Sequence, residues 1–164
     1  GRSLPELGFA WPAGWGAVVA VGMVVLIAGV MSAQLIALPK HPDVHEAVRG
    51  QLEGAAPFLP RTPTEQHWFS GVAITAGVCE EILFRGFCVA YVAAWTGLPG
   101  AVAITSVVFG LGHLYQGRSG ALKTGVAGLI AGTIFVLGGT LWLPMALHVF
   151  VDLHGGLVYR IVRR

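Results

Sequence analysis

GVCEEILFRGF, Gly77 to Phe87, sets two carboxylates and a guanidinium inside an otherwise apolar stretch. The chain around it is poor in charge. No Asp, Glu, Lys, Arg or His occurs from Ala13 to Leu38. Only His113 occurs from Gly86 to Gly117, and only His148 from Thr124 to Val151. One crossing of a bilayer needs about 20 apolar residues. Of the 164 residues 11% are charged and 55% hydrophobic, whereas soluble domains carry about 25% charged residues. An ordinary soluble domain is excluded. The expected fold is all-α, a polytopic transmembrane helical bundle of about five spans. The 24 glycines favour close helix packing in lipid.

The spans follow from the breakers. A first helix is expected from about Ala13 to Leu38, ended by Pro39 and Pro42. Lys40 to Arg61 reads as an interfacial loop with a short amphipathic turn near Val44 to Leu52. Thr62-Pro63-Thr64-Glu65 is a helix start, with Thr as N-cap, Pro at the first helical position and Glu at the third. The second helix runs to about Trp95, roughly 50 Å. It is longer than the hydrocarbon core of about 30 Å, so it tilts or begins outside it. Thr96 to Gly100 forms a tight turn. A third helix spans Ala101 to Tyr115, Gln116 to Gly120 is a polar loop, and a fourth helix spans Ala121 to Leu137. The fourth carries Gly128-x-x-x-Gly132, a close-packing face. Gly138-Gly139 turns the chain into a fifth helix, starting between Leu141 and Pro144 and ending near Ile161. Two units are expected: residues 1–61, an N-terminal transmembrane helix and interfacial loop, and residues 62–164, a helical core.

The net charge of +2 is small. Arg160, Arg163 and Arg164 read as an interfacial anchor rather than a nucleic-acid patch, so no nucleic-acid partner is expected. Assigning Arg2, Arg160, Arg163 and Arg164 to one face, and Lys40, Arg49, Arg61, Arg118 and Lys123 to the other, leaves the orientation undecided. Cys79 and Cys88, about 13 Å apart along one helix, cannot pair with each other. Both are expected to be small buried apolar residues. The chain opens on Gly1-Arg2-Ser3 without an initiator Met, which leaves room for an upstream segment; no cleavable leader is recognisable.

Glu80, Glu81, Arg85, His113, His148 and Asp152 all fall within expected spans. An acid or Arg costs about 2.5–3.5 kcal/mol at a helix centre. Ionisable groups at that depth point to a functional site facing the bundle interior. Glu81 and Arg85 stand at i,i+4 and can pair, on a stripe continued by Ala73 and Gly77. Glu80 is rotated about 100° away and is the less compensated acid. Counting residues from the turns puts Glu80 and His113 at similar depth on antiparallel helices. His148 and Asp152 share a face of the last helix at a comparable depth. Glu80 and His113 can hold and deprotonate a water, and His148 can donate to a developing oxyanion. That chemistry is hydrolysis without a Ser or Cys nucleophile. Three other readings use the same residues. They could form a buried ion-pair cluster, a proton relay, or a zinc site with Glu80, His113 and His148 as ligands. No HExxH is present to support the last. His41-Pro-Asp-Val-His45-Glu46 reads as a solvated loop. His67 is expected at the interface, and His154 is assigned no role.

Three short patterns together resemble a known family. Glu80-Glu81-Ile-Leu-Phe-Arg85 is similar to the EExxxR motif of the CAAX protease and bacteriocin-processing family, also called the Abi family. Phe109 to His113 is similar to its FxxxH motif, and His148 to Asp152 to its HxxxN or HxxxD motif. The resemblance covers roughly Thr62 to Val162. It implies a glutamate-dependent intramembrane endopeptidase whose catalytic core is residues 62–164. Glu80 and His113 would activate water. His148 and Asp152 would form the oxyanion site, and Glu81 and Arg85 would be the supporting pair. Asp152 departs from the Asn form, since an ionised carboxylate repels an oxyanion. The resemblance implies no cofactor and no metal. Its implied partners are the lipid bilayer and a peptide or protein substrate, with a C-terminal segment as one candidate. The expected location is a prokaryotic cytoplasmic (inner) membrane. A non-catalytic immunity or scaffold protein of the same fold is the alternative of a different class.

Overall fold

The computed structural model describes residues 7–163, and within them the chain is helical, with no strand. α1 is Gly14–Ala37 and α2 is the short surface helix His45–Leu52. α3 is Pro63–Glu81, and it continues through a wider π-helical stretch, Ile82–Cys88, into α4, Val89–Gly112. α5 is Gly117–Gly138 and α6 is Trp142–Val162. The start of α3 is capped as its sequence dictates: Thr62 Oγ1 accepts from the amide of Glu65 at 3.1 Å. The Glu65 carboxylate accepts from the amide of Arg61 at 2.7 Å, one residue before the cap.

Four helical runs are long and apolar enough to cross a membrane, and the longest is Pro63–Gly112. That run does not go straight. At Gly97 the backbone takes φ 71 and ψ 169, a conformation open to glycine, and Pro99 follows. The rings of Phe84 and Phe109 then lie 4.8 Å apart, and Val89 shares a core cluster with Ala101 and Val102. Gly97 is therefore a hairpin, and the four runs make five helical passes.

Glycines set the closest approaches between passes. A Cβ on Gly110 would lie 2.6 Å from the carbonyl oxygen of Ala121, and one on Gly132 would lie 2.7 Å from Val102. These contacts pack α5 antiparallel to the second half of α4. A Cβ on Gly77 would lie 3.0 Å from the amide nitrogen of Val149, which brings α3 onto α6. Ala20, Ile134 and Leu147 form the contact of α1 with α5 and α6. The remaining surface is apolar, with Val25, Leu26, Val107, Leu122 and Val126 among the exposed residues, as lipid-facing helix surfaces require.

Several expectations change. Arg163 donates to the carbonyl of Arg61 at 2.6 Å, so the end of α6 lies on the face of the Lys40–Arg61 segment. An odd number of passes puts the two chain ends on opposite faces. Lys40, Arg49, Arg61, Arg118, Lys123, Arg160 and Arg163 thus share one end. The other end, with residues 7–13, Gly97 and Gly139, has no Lys or Arg among the described residues. The expected positions of Arg2 and Arg164 lie outside those residues. Residues 117–120 are not a loop: α5 begins at Gly117, after one tight turn at Leu114–Gln116. Cys79 is exposed rather than buried, because a lipid-facing position already supplies an apolar surrounding. Exposed Trp11, Trp15, Trp95 and Trp142 mark the end without cations, and Phe58, Trp68 and Tyr115 the cation-rich end, the usual place of aromatic residues at membrane interfaces.

Two predictions follow from this packing. Short loops rich in Lys and Arg stay cytoplasmic. Arg118→Cys is therefore expected to react with a membrane-impermeant maleimide only after cells are opened, and Thr96→Cys in intact cells; the reverse pattern overturns the orientation. Gly77→Leu must push the α6 backbone away, and is expected to destabilise the detergent-solubilised protein by about 1–3 kcal/mol, read as a lower unfolding temperature.

Candidate functional site

The stripe predicted on α3 is buried: Ala73 and Gly77, then Glu81 at 1% and Arg85 at 2% exposure. Arg85 Nη1 donates to Glu81 Oε1 at 2.8 Å, and Arg85 Nη2 donates to the carbonyl of Gly128 on α5 at 2.9 Å. The guanidinium also lies 4.8 Å from the centre of the Phe109 ring. A Cβ on Gly128 would lie 3.2 Å from Phe109 and 3.4 Å from Arg85, so glycine at that position lets the arginine reach the α5 backbone. The pair sits where α3 passes into the π-helical stretch, a local widening often found at functional sites. The sequence carries no sign of that widening.

Glu81 Oε1 has a second partner that spacing does not reveal. His148 Nδ1 lies 2.8 Å from it, across from α6. A carboxylate can only accept, so Nδ1 carries the proton and Nε2 is turned to the other acids. Nε2 lies 4.0 Å from Glu80 Oε2 and 3.8 Å from Asp152 Oδ2. Glu80 and Asp152 are each about one-third exposed, while Glu81 is sealed. Glu80 Oε2 and Glu81 Oε2 are buried oxygens without a hydrogen-bond partner in the described protein.

His113 comes from the other side. It is the first residue after α4, and its Nδ1 lies 2.8 Å from the carbonyl oxygen of Phe109. A carbonyl only accepts, so Nδ1–H donates and the neutral ring carries its lone pair on Nε2. The Phe109 ring spaces the two histidines, 4.7 Å from His113 and 6.0 Å from His148. Glu80 and His113 form no direct ion pair or hydrogen bond among the described residues. The structure thus joins Glu81, Arg85, His148, Asp152 and Glu80 around one ring, with His113 across Phe109. Both histidines anchor Nδ1 on an acceptor oxygen, a carboxylate for His148 and a carbonyl for His113, and so turn Nε2 outward.

Other candidates fall away from this cluster. His154, given no role by the sequence, is buried and bonds the carbonyl of Met31 at 3.0 Å. His45 bonds the carbonyl of Leu38 at 2.9 Å. No group of three or more His, Cys, Asp and Glu side chains among the described residues is arranged to hold a metal ion, so the zinc reading finds no ligand set.

Breaking a buried pair by removing one partner costs about 3–5 kcal/mol, because a charge is left buried and alone. Arg85→Met is expected to lose that much stability by thermal unfolding in detergent. Adding Glu81→Gln to it is expected to restore part of the loss. A single variant as stable as wild type would show that the pair is not needed.

Residues 64–154, more than half of the chain, match the family described as Rce1-like, type II CAAX prenyl endopeptidase. The matched stretch contains Glu80, Glu81, Arg85, His113, His148 and Asp152. No curated protein and no solved structure matches the chain. The match agrees with an apolar helical bundle that carries its acids and histidines inside, and it makes this chain a member of the Rce1-like family of type II CAAX endopeptidases, an intramembrane protease.

Proposed function

We propose that the chain hydrolyses peptide bonds with a water activated by Glu80 and His113. The observation that carries this reading is the convergence of Glu80, Glu81 and Asp152 on the His148 imidazole, with His113 Nε2 turned outward across Phe109. Glu80 is the acid without an arginine and the one open to a reactant. A water accepted by Glu80 and His113 loses its proton to Glu80 as its oxygen attacks the carbonyl carbon. The carbonyl electrons move to oxygen, and Nε2–H of His148 donates to that oxyanion. Since Nδ1 already donates to Glu81, the ring must be an imidazolium, a charge that the three neighbouring carboxylates offset. Collapse breaks the C–N bond, and the proton held by Glu80 passes to the leaving amine. Asp152 serves best by holding His148; it donates to the oxyanion only when protonated. Glu81 and Arg85 position His148 and need not touch the substrate. We further propose that residues 62–164 are the catalytic core, and residues 1–61 an added span and surface segment.

Membrane-protein termini compared by mass spectrometry, in cells carrying wild type or Glu80→Gln at matched levels, test the reaction. New termini are expected with wild type only. Identical sets from two folded, inserted proteins overturn it. On a peptide so identified, His148→Ala is expected to slow turnover about 10²–10³-fold, the usual cost of losing an oxyanion donor. Asp152→Asn is expected to keep activity, because an amide can both accept from His148 and donate.

A further inference from the structure

A recess of about 810 Å³ opens at the cation-rich end, between α2, the start of α5 and the end of α6. The turn from α4 to α5, Leu114–Gln116, borders it at Gln116. The segment carrying α2 folds down over that turn. Gly54 packs directly on the carbonyl of Gln116, the rings of Phe58 and Tyr115 lie 5.0 Å apart, and Lys123 donates to the carbonyl of Gln51 at 3.1 Å. Val48 and Leu52 pack on Leu38, Val158 and Val162. The recess is the space left beneath this strap.

Its lining mixes apolar residues, Val48, Leu52 and Val158 among them, with polar ones. Gln34, Gln51, Gln116, Ser119 and His154 face it, with one cation, Lys123, and one acid, Glu53. Amides and hydroxyls both donate and accept. His154, 7% exposed, uses Nε2–H on Met31 and keeps Nδ1 as an acceptor. Gly50 and Gly155 also line it, with open space where a Cβ would stand, which lets another backbone come close. These are the needs of an extended polypeptide, whose main chain brings alternating donors and acceptors.

Its lining comes within three residues of the site at two points of the chain. Gln116 follows His113 by three residues, and Gly155 follows Asp152 by three, less than one helical turn of about 5.4 Å. An extended chain rises about 3.3 Å per residue, so two or three residues span that gap. We infer that this recess binds the polypeptide segment of the substrate within a few residues of the cleaved bond, approaching from the cation-rich end. The main chain of the segment meets the amides and the hydroxyl, and its side chains meet Val48, Leu52 and Val158. The inference rests on the peptidase reading above.

The test places the photoreactive p-benzoylphenylalanine at Ser119, in the recess, or at Leu122, exposed on the same helix and outside it. The protein carries Glu80→Gln, so that bound substrate is not consumed. After illumination of membranes, the adducts are sequenced and compared with the termini that appear only with active wild type. Ser119 adducts are expected on segments within about five residues of those termini, a reach of about 17 Å, and Leu122 adducts are expected to lack them. If wild-type termini appear but Ser119 captures only lipid or unrelated segments, the recess is not the binding site, and the peptidase reading stands. If no wild-type termini appear, the reading fails and the inference with it.

Discussion

A single carboxylate oxygen, Glu81 Oε1, takes a hydrogen bond from Arg85 and another from His148, each at 2.8 Å. Through Arg85 it reaches the backbone of α5 at Gly128, and through His148 it reaches α6. In a bilayer, helix association gains little from the hydrophobic effect, since lipid tails are as apolar as leucine. A charged, fully buried junction between three helices therefore carries specificity that apolar packing cannot supply. It also holds its parts strictly, because any lost partner leaves a charge in a medium that does not solvate it.

The glycines make that junction reachable. Gly77 and Gly128 remove side chains at the points where α6 and Arg85 approach most closely. The same helix–helix distances set the imidazole of His148 between Glu81 and the pair of Glu80 and Asp152. Packing and site geometry are one arrangement, so a change that loosens α3 against α6 also shifts the nitrogen that faces a reactant.

Two histidines of one chemical type are given different work by their neighbours. Nδ1 of each ring donates to an acceptor, the Phe109 carbonyl for His113 and the Glu81 carboxylate for His148. What differs is the surroundings of Nε2: in His148 it faces the carboxylates of Glu80 and Asp152, which favour a protonated ring.

Much of this was legible in the residues. Charge-free runs define the spans, because lipid tolerates only satisfied backbone and apolar surface. Thr62-Pro63 marks a helix start, and the four-residue spacing of Glu81 and Arg85 makes them neighbours by helical geometry alone. Gly97 and Pro99 mark a turn. Contacts across helices are different in kind. That His148 chooses Glu81, that Arg85 reaches Gly128, and that Phe109 stands between the histidines depend on which faces meet and at what depth. No local period encodes those choices. The common face of the cations follows from counting five passes, which the turn expected at Thr96 to Gly100 already supplies, whereas the π-helical stretch and the strap over the α4–α5 turn follow from packing. The sequence alone determined an all-α membrane bundle with ionisable residues inside; only the tertiary structure decided which of them share a proton, because that depends on distances between helices rather than along one.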